Sequence, residues 1–434
     1  MTRGIIALGC AALGAVVVGC GGSAVSSVSQ HPSAFAKPHA QATGPIAHVV
    51  VLIMENRSFN YMYLGYPNAR TAYHGLTHDG KNLLMQKIPL EAIGDLGHTH
   101  PAFEAAYDNG KMDGFDLEGW DPRLPPYAPY AFAPHSEIAP DWDIARQYTL
   151  ADENFMSVSA NSYAAHQYLI AGQSDYAIGL PKDPYIWGCD SKPGTYVPVL
   201  NAQGHMVPGP FPCFDYETLA DILDQAGLGW RYYTQTMTYD WNAYDAISQI
   251  RYGPDWGTDI VTPSSQFNID VANGILAPVT WIVPADVNSD HSGNKSHSGP
   301  SYVASVVNSL GESKFWSSSA LIIVWDDWGG WYDPVAPPQL DRMGLGFRVP
   351  MLVVSPWSRH NYVSHQQHEF GSVLHFVEST FGLPSLGQVD VRADDLSDCF
   401  DFTQTPPPFV PIAAPISPPE LRAMAAADHA PPDN

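Results

Sequence analysis

The sequence predicts an α/β fold: a mainly parallel central sheet with helices on both faces. Three observations carry this expectation. Short, nearly all-apolar runs recur at residues 48–54, 228–234, 278–284, 320–325 and 350–355; segments with helical spacing of apolar residues lie between them; and several runs stop abruptly on acids or amides. A strand covered on both faces reads as a continuous apolar run rather than an alternation, and strands separated by helices pair in parallel.

The first run, His48 to Met54, places Val49, Val50, Val51, Leu52 and Ile53 in succession and ends on Glu55 and Asn56. Further on, Tyr216 to Trp230 sets Leu219, Ile222, Leu223 and Leu228 at helical spacing, with Gly227 as the stop signal. Residues 299–316 repeat that pattern. The run around Trp281 leads to Asp286 and then Asp290-His291, and the run Ala320 to Trp325 leads directly to Asp326-Asp327. Ligands in open α/β sheets gather at the carboxyl ends of strands, so these groups are expected to converge although they lie far apart in sequence.

The chain divides by composition. Residues 1–20 hold one Arg, a short apolar run and small residues, the layout of a secretory signal rather than a spanning helix. Val17-Val18-Gly19-Cys20 resembles a bacterial lipobox, which predicts a lipid anchor on Cys20 and an exported protein, tethered at the cell envelope or secreted. Residues 21–44 lack periodicity and read as a flexible tether, residues 45–404 as one folded domain, and residues 405–434 as a Pro-rich tail running over the surface.

Of 434 residues, 45% are hydrophobic and 12% aromatic, enough for a large packed core. Acids outnumber bases 44 to 20, the formal charge is -24, and the Lys and Arg residues are scattered singly. That balance repels a phosphate backbone and argues against nucleic acid as a partner. A small phosphorylated substrate remains compatible where a cation mediates the contact. Beyond the leader stand Cys189, Cys213 and Cys399; an oxidising compartment predicts a Cys189–Cys213 disulfide and leaves Cys399 unpaired.

A single acid after a strand often does no more than cap a helix. Asp326-Asp327, however, precede Trp328-Gly329-Gly330-Trp331-Tyr332, where two glycines among bulky aromatics predict a tight turn beside a site. With Glu55 and Asn56 they offer hard oxygen ligands for one divalent cation, and zinc is also compatible with the set. A nucleophile is available at Ser157, Ser159 or Ser162, and chemistry alone does not choose among the three.

Met54-Glu55-Asn56-Arg57-Ser58-Phe59 resembles the opening motif of the bacterial phosphoesterase family that contains acid phosphatases and phosphatidylcholine-type phospholipases C. The likeness continues through Asn109 to Phe115, Trp325 to Gly330, Val349-Pro350 and Tyr362 to His365, spanning residues 46 to 402. It implies an alkaline-phosphatase-like fold, a metal held by Glu55, Asn56, Asp326 and Asp327, and Ser162 as nucleophile. By the same resemblance His98 and His291 assist catalysis, since imidazole titrates near neutral pH. His166 and His365 fall in family-like segments and are expected in a supporting role.

Two positions depart from the family pattern: Asn60 stands where Asp is usual, and Pro334 where His is usual. The resemblance implies hydrolysis of a phosphoester through a phosphoserine, with a small phosphorylated substrate or a phospholipid head group as partner. Trp120, Tyr127, Tyr130, Trp230, Tyr232 and Tyr233 are candidates for a choline-binding wall or for core. The alternative is a surface-tethered metal- or ligand-binding protein without turnover, for which Asn60 and Pro334 are the support.

Overall fold

The computed structural model of the protein describes residues 42–183 and 186–428. The leader, Cys20 and most of the expected tether lie outside the described residues. No helix among the described residues is long and apolar enough to cross a membrane.

Eight strands form one sheet: His48–Met54 (β1), Thr149–Ala151 (β2), Trp230–Tyr233 (β3), Ile260–Val261 (β4), Val279–Ile282 (β5), Ser319–Trp325 (β6), Met351–Val354 (β7) and Tyr362–Ser364 (β8). Their order across the sheet is β4-β3-β5-β1-β6-β7-β2-β8. Only β7 runs against the rest, pairing antiparallel with both β6 and β2. The five apolar runs seen in the sequence are all strands. The three strands that the sequence hid, β2, β4 and β8, have two or three residues each and are too short to give a periodic signal.

Every side chain from Val49 to Met54 is fully buried, as is all of β6. Burial on both sides follows from two sets of helices. Ala139–Gln147 (α1) packs with Gly299–Gly311 (α3), while Ser162–Ala171 (α2) packs with Phe370–Phe381 (α4). Leu219–Ala226 ends at Gly227, whose φ of 69° takes the left-handed conformation that a helix stop favours. Cys189 and Cys213 are bonded, with Cα atoms 4.5 Å apart, and Cys399 is a buried free thiol.

The tail is more than a strap. Pro418–Ala427 forms a helix (α5) opened by a Ser417–Glu420 capping box, and it buries Leu421 and Ala425. Asn288 Nδ2 donates to Leu421 O at 3.2 Å, and Val287 N donates to Asp428 Oδ2 at 2.9 Å. The sequence concealed this helix because its apolar contacts are few and lie between prolines.

One buried ion pair joins the loops at the strand ends. Arg348 donates from Nε to Asp333 Oδ1 at 2.8 Å and from Nη2 to Asp333 Oδ2 at 3.0 Å, with both side chains fully buried. Its Nη1 donates to Asp152 O just beyond β2, and its carbonyl accepts from Phe59 N. Asp333→Ala strips the partner from a buried guanidinium and should cost about 3–5 kcal/mol of folding free energy in urea unfolding. A loss below about 1 kcal/mol, the range of exposed pairs, would refute this role for the pair.

Candidate active site

β1 and β6 pair in parallel with Met54 opposite Trp325, so Glu55-Asn56 and Asp326-Asp327 leave the sheet side by side. Hydrogen bonds then lock the two exits together. Asp326 N donates to Met54 O, Asn56 N donates to Asp326 Oδ1 at 2.9 Å, and Glu55 N donates to Ser289 O. The third bond brings in the segment after β5, which carries Asp290 and His291.

Gly329 and Gly330 let the Asp326-Asp327 turn pass between two other backbones. A Cβ on Gly329 would lie 2.1 Å from Asn56 O, and one on Gly330 would lie 2.4 Å from Leu96 Cβ. Both glycines also have positive φ, 59° and 74°. The turn therefore sits against both the end of β1 and the loop that presents His98.

Ser162 opens α2, and all ten residues of that helix are buried. Its Oγ donates to Asp327 Oδ2 at 3.1 Å, while Asp327 Oδ1 accepts from Gly329 N at 2.7 Å. No side chain caps the helix, so its first-turn N–H groups face the end where Ser162 stands. The other two serines are engaged elsewhere: Ser159 Oγ donates to Met343 O, and Ser157 Oγ accepts from Gly371 N. One helical turn after Ser162, His166 Nε2 donates to Glu55 Oε1 at 2.8 Å and lies 3.7 Å from Asp326 Oδ2.

The two expected histidines meet across Asn56. Their ring centroids are 6.2 Å apart, and each Nδ1 donates to a backbone carbonyl, His98 to Leu96 O at 2.8 Å and His291 to Ser292 O at 2.7 Å. Nδ1 therefore carries the proton, and in a neutral ring Nε2 accepts. The Asn56 side-chain nitrogen lies 3.1 Å from both Nε2 atoms, with its oxygen 3.0 Å from Glu55 Oε2 and 3.2 Å from Asp326 Oδ1.

That amide orientation suits neutral histidines and gathers three oxygens at one point, which only a positive charge between them makes favourable. The opposite orientation gives the carboxylates their hydrogen bonds but requires protons on both Nε2 atoms. Asp326 Oδ2, buried without a hydrogen-bond partner, adds another acceptor facing the same place. The donor set thus fits a divalent cation: oxygens from Glu55, Asn56 and Asp326, with Asp327 and the His166 imidazole beside them.

Other expectations change. His365 is 60% exposed and bonds to Asp152 at 2.8 Å, away from this cluster. Tyr130, Trp230, Tyr232 and Tyr233 are buried core, and Trp120 and Tyr127 pack partly buried against it. Trp328 packs edge-on against His98 at 6.3 Å, and an aromatic outside the expected set also reaches the site, Trp241, whose ring lies 5.6 Å from His291 and stacks at 6.4 Å on His166. Nothing in its sequence neighbourhood marks it, because its position depends on the loop after β3. Asn60 bonds the main chain of Ala72 through both ends of its amide, and Pro334 follows the ion-paired Asp333. The departure at Asn60 is thus occupied in holding a loop.

A cleft of about 620 Å³ opens beside His291, bordered by Asp95, Asp121, Asp286, Lys295 and, from α5 and its end, Met424 and Asp428. Asp95 belongs to the same close group as His98 and His291. Carboxylates outnumber cations along its wall.

A model of the Phosphoesterase family matches residues 46–384. The non-hemolytic phospholipase C of Burkholderia pseudomallei is 25% identical over 85% of this chain and 60% of its own length. Phospholipase C B of Mycobacterium tuberculosis is 23% identical over 84% of this chain and 80% of its own. The chain spans about three fifths of the length of the Burkholderia relative and of a Pseudomonas aeruginosa non-hemolytic phospholipase C, 60% and 57%. Among solved structures, a protein in the alkaline phosphatase superfamily from Vibrio parahaemolyticus is 10% identical, with a TM-score of 0.40 over 83% of this chain and 72% of that one.

Burial raises the carboxyl of Asp290 above its ordinary value of 3.8, opposed by Arg57 and by the Trp325 Nε1 hydrogen bond. Asp141 is raised in turn, by burial first and by Asp290 second. A folded state that holds these protons more tightly than the unfolded chain loses stability as pH rises above the ordinary carboxylate value. Asp290→Asn should therefore lose less stability than wild type between about pH 4 and pH 7 in urea titrations. Equal pH dependence in the two proteins would contradict the assignment.

Proposed function

The chain belongs to the Phosphoesterase family, and from that premise we propose that it hydrolyses phosphoesters through Ser162, with a divalent cation held by Glu55, Asn56, Asp326 and Asp327. The observation that carries this reading is the bond from Ser162 Oγ to Asp327 Oδ2 at the mouth of a buried helix N-terminus. Asp327 holds the hydroxyl in one rotamer and accepts its proton as the oxygen attacks. The first-turn N–H groups of α2 receive the nonbridging oxygens of the phosphoryl group. A bound cation supplies positive charge for the phosphoryl oxygens and lowers the pKa of the serine hydroxyl.

The bond from Ser162 Oγ to phosphorus forms as the bond from phosphorus to the substrate's alcohol oxygen breaks. His98 or His291, in the state where its Nε2 carries a proton and faces the Asn56 amide oxygen, protonates the departing alkoxide; water then attacks phosphorus, the P–Oγ bond breaks, and Asp327 returns the proton to Ser162. Asn56 joins the two halves of this chemistry, with one end of its amide on the acid side and the other on the imidazole side. His166 orients Glu55.

The carboxylate-rich cleft beside His291 favours a substrate with a positive group near the phosphate. We therefore read the substrate as a phosphodiester with a cationic head group; the names of the relatives, phospholipases C, support a phospholipid. Asp95, Asp286 and Asp428 are the residues placed to attract that charge.

The test compares para-nitrophenyl phosphate with para-nitrophenyl phosphorylcholine, with and without divalent metals, for wild type and Ser162→Ala. Preferential metal-dependent turnover of the choline diester, reduced at least about a thousandfold in Ser162→Ala, is expected. Turnover of the monoester alone would remove the cationic head group from the reading. Silence on both substrates under every metal would leave a binding protein without turnover.

His98→Asn and His291→Asn separate the acid role. Whichever histidine protonates the leaving oxygen should lose about 10²–10⁴-fold on an alkyl diester and much less on the para-nitrophenyl ester, whose leaving group departs without a proton. Equal losses on both substrates would assign the ring to binding instead.

A further inference from the structure

A second group of residues, none of them used by the site above, has the donor chemistry of a cation centre. It lies where the edge strand β8 meets the loop after α4. Ser364 ends β8, His368 follows it, and Asp398 and Cys399 come from that loop. Ser364, His368 and Cys399 are buried, while the Asp398 side chain is 29% exposed and gives a path to solvent.

The orientation of His368 is fixed from behind. Its Nδ1 donates to both oxygens of Asp394, each at 2.9 Å, and Asp394 is held by Ser372 Oγ and Leu396 N. This carboxylate–imidazole arrangement keeps the proton on Nδ1 and turns the Nε2 lone pair the other way, as in metal-ligating histidines. On that side stand Ser364 Oγ at 3.0 Å, which also donates to Asp398 Oδ2, then Asp398 Oδ1 at 3.6 Å and Cys399 Sγ at 3.9 Å. The Cys399 thiol donates to Asp398 Oδ1 at 3.6 Å, so an ion would take the place of that proton.

A nitrogen and a carboxylate oxygen 3.6 Å apart are beyond hydrogen-bond distance. That spacing instead resembles the edge of a coordination tetrahedron. A zinc-class ion about 2.0 Å from N and O and about 2.3 Å from S sets its donors about 3.3–3.5 Å apart. The three edges here exceed that by a few tenths of an ångström, which small side-chain rotations close.

We propose that His368 Nε2, Asp398 Oδ1 and Cys399 Sγ form a structural site for a zinc-class divalent ion, with Ser364 Oγ beside the fourth position. The mixed thiolate, imidazole and carboxylate set selects a borderline ion rather than magnesium or calcium. On binding, Cys399 coordinates as the thiolate and its proton passes to solvent, while His368 keeps its Nδ1 proton on Asp394. The ion clips the loop carrying Asp394 to Cys399 onto the edge of the sheet, closing the 31-residue separation between His368 and Cys399.

Cobalt(II) added to the purified full chain distinguishes this site from the oxygen-rich catalytic one, because only a thiolate ligand gives a sulfur-to-cobalt charge-transfer band. Wild type should show the band and bind one more equivalent of cobalt or zinc than Cys399→Ala, in which the band is lost. Absence of the band in wild type overturns the proposal. So does its persistence in Cys399→Ala, which would assign it to Cys10 or Cys20. Asp398→Asn keeps the side-chain shape and its bond to Ser364, so it guards against misfolding in the cysteine variant. It should weaken the ion's affinity about 10–100-fold, and unchanged affinity also overturns the site.

Discussion

The in-register parallel pairing of His48–Met54 with Ser319–Trp325 is the constraint on which the rest of this structure depends. It aligns Met54 with Trp325, so two acid-bearing exits 270 residues apart in sequence emerge as neighbours. A shift of one residue would turn every side chain of a strand to the opposite face of the sheet. Full burial of Val49 to Met54 and of all of β6 makes such a slip costly, and that cost gives the site its geometric precision.

Electrostatics at the strand ends follow from the same burial. Glu55, Asp326 and Asp327 are withdrawn from water in a protein whose formal charge is already -24. Their negative charge is a liability for an anionic substrate unless a cation offsets it. Asn56 occupies the boundary between this acidic side and the two imidazoles, and its amide orientation is tied to the charge on each. Behind them Asp290 and Asp141 accommodate burial by holding protons more tightly. Groups of one chemical type thus meet different environments within a single layer of strand ends.

Rigidity around the site comes from polar anchors as much as from the core. Arg348 ties Asp333, Asp152 O and Phe59 N together, joining loops that flank the acids. α5 closes one side of the cleft through bonds from Asn288 and Val287. The His368 cluster fastens the far edge of the same sheet. These contacts hold long connections that propensity alone leaves undetermined.

Sequence by itself determined the class of fold and the five longer strands, and it marked Glu55, Asn56, Asp326 and Asp327 as strand-end groups expected to converge, whereas Ser162, His98 and His291 were singled out for catalysis only by the family resemblance. It could do so because continuous apolar runs report burial on both faces, and an acid that ends such a run stands out. Tertiary structure alone decided which serine bonds Asp327, that His166 reaches Glu55 while His365 pairs with Asp152, and that Trp241 lies beside His291 and His166. It also decided the short strands β2, β4 and β8, the helix in the tail and the grouping of His368 with Asp398 and Cys399. Those features depend on partners far away in the chain, and a side chain's partner across space leaves no periodic mark on the residues beside it.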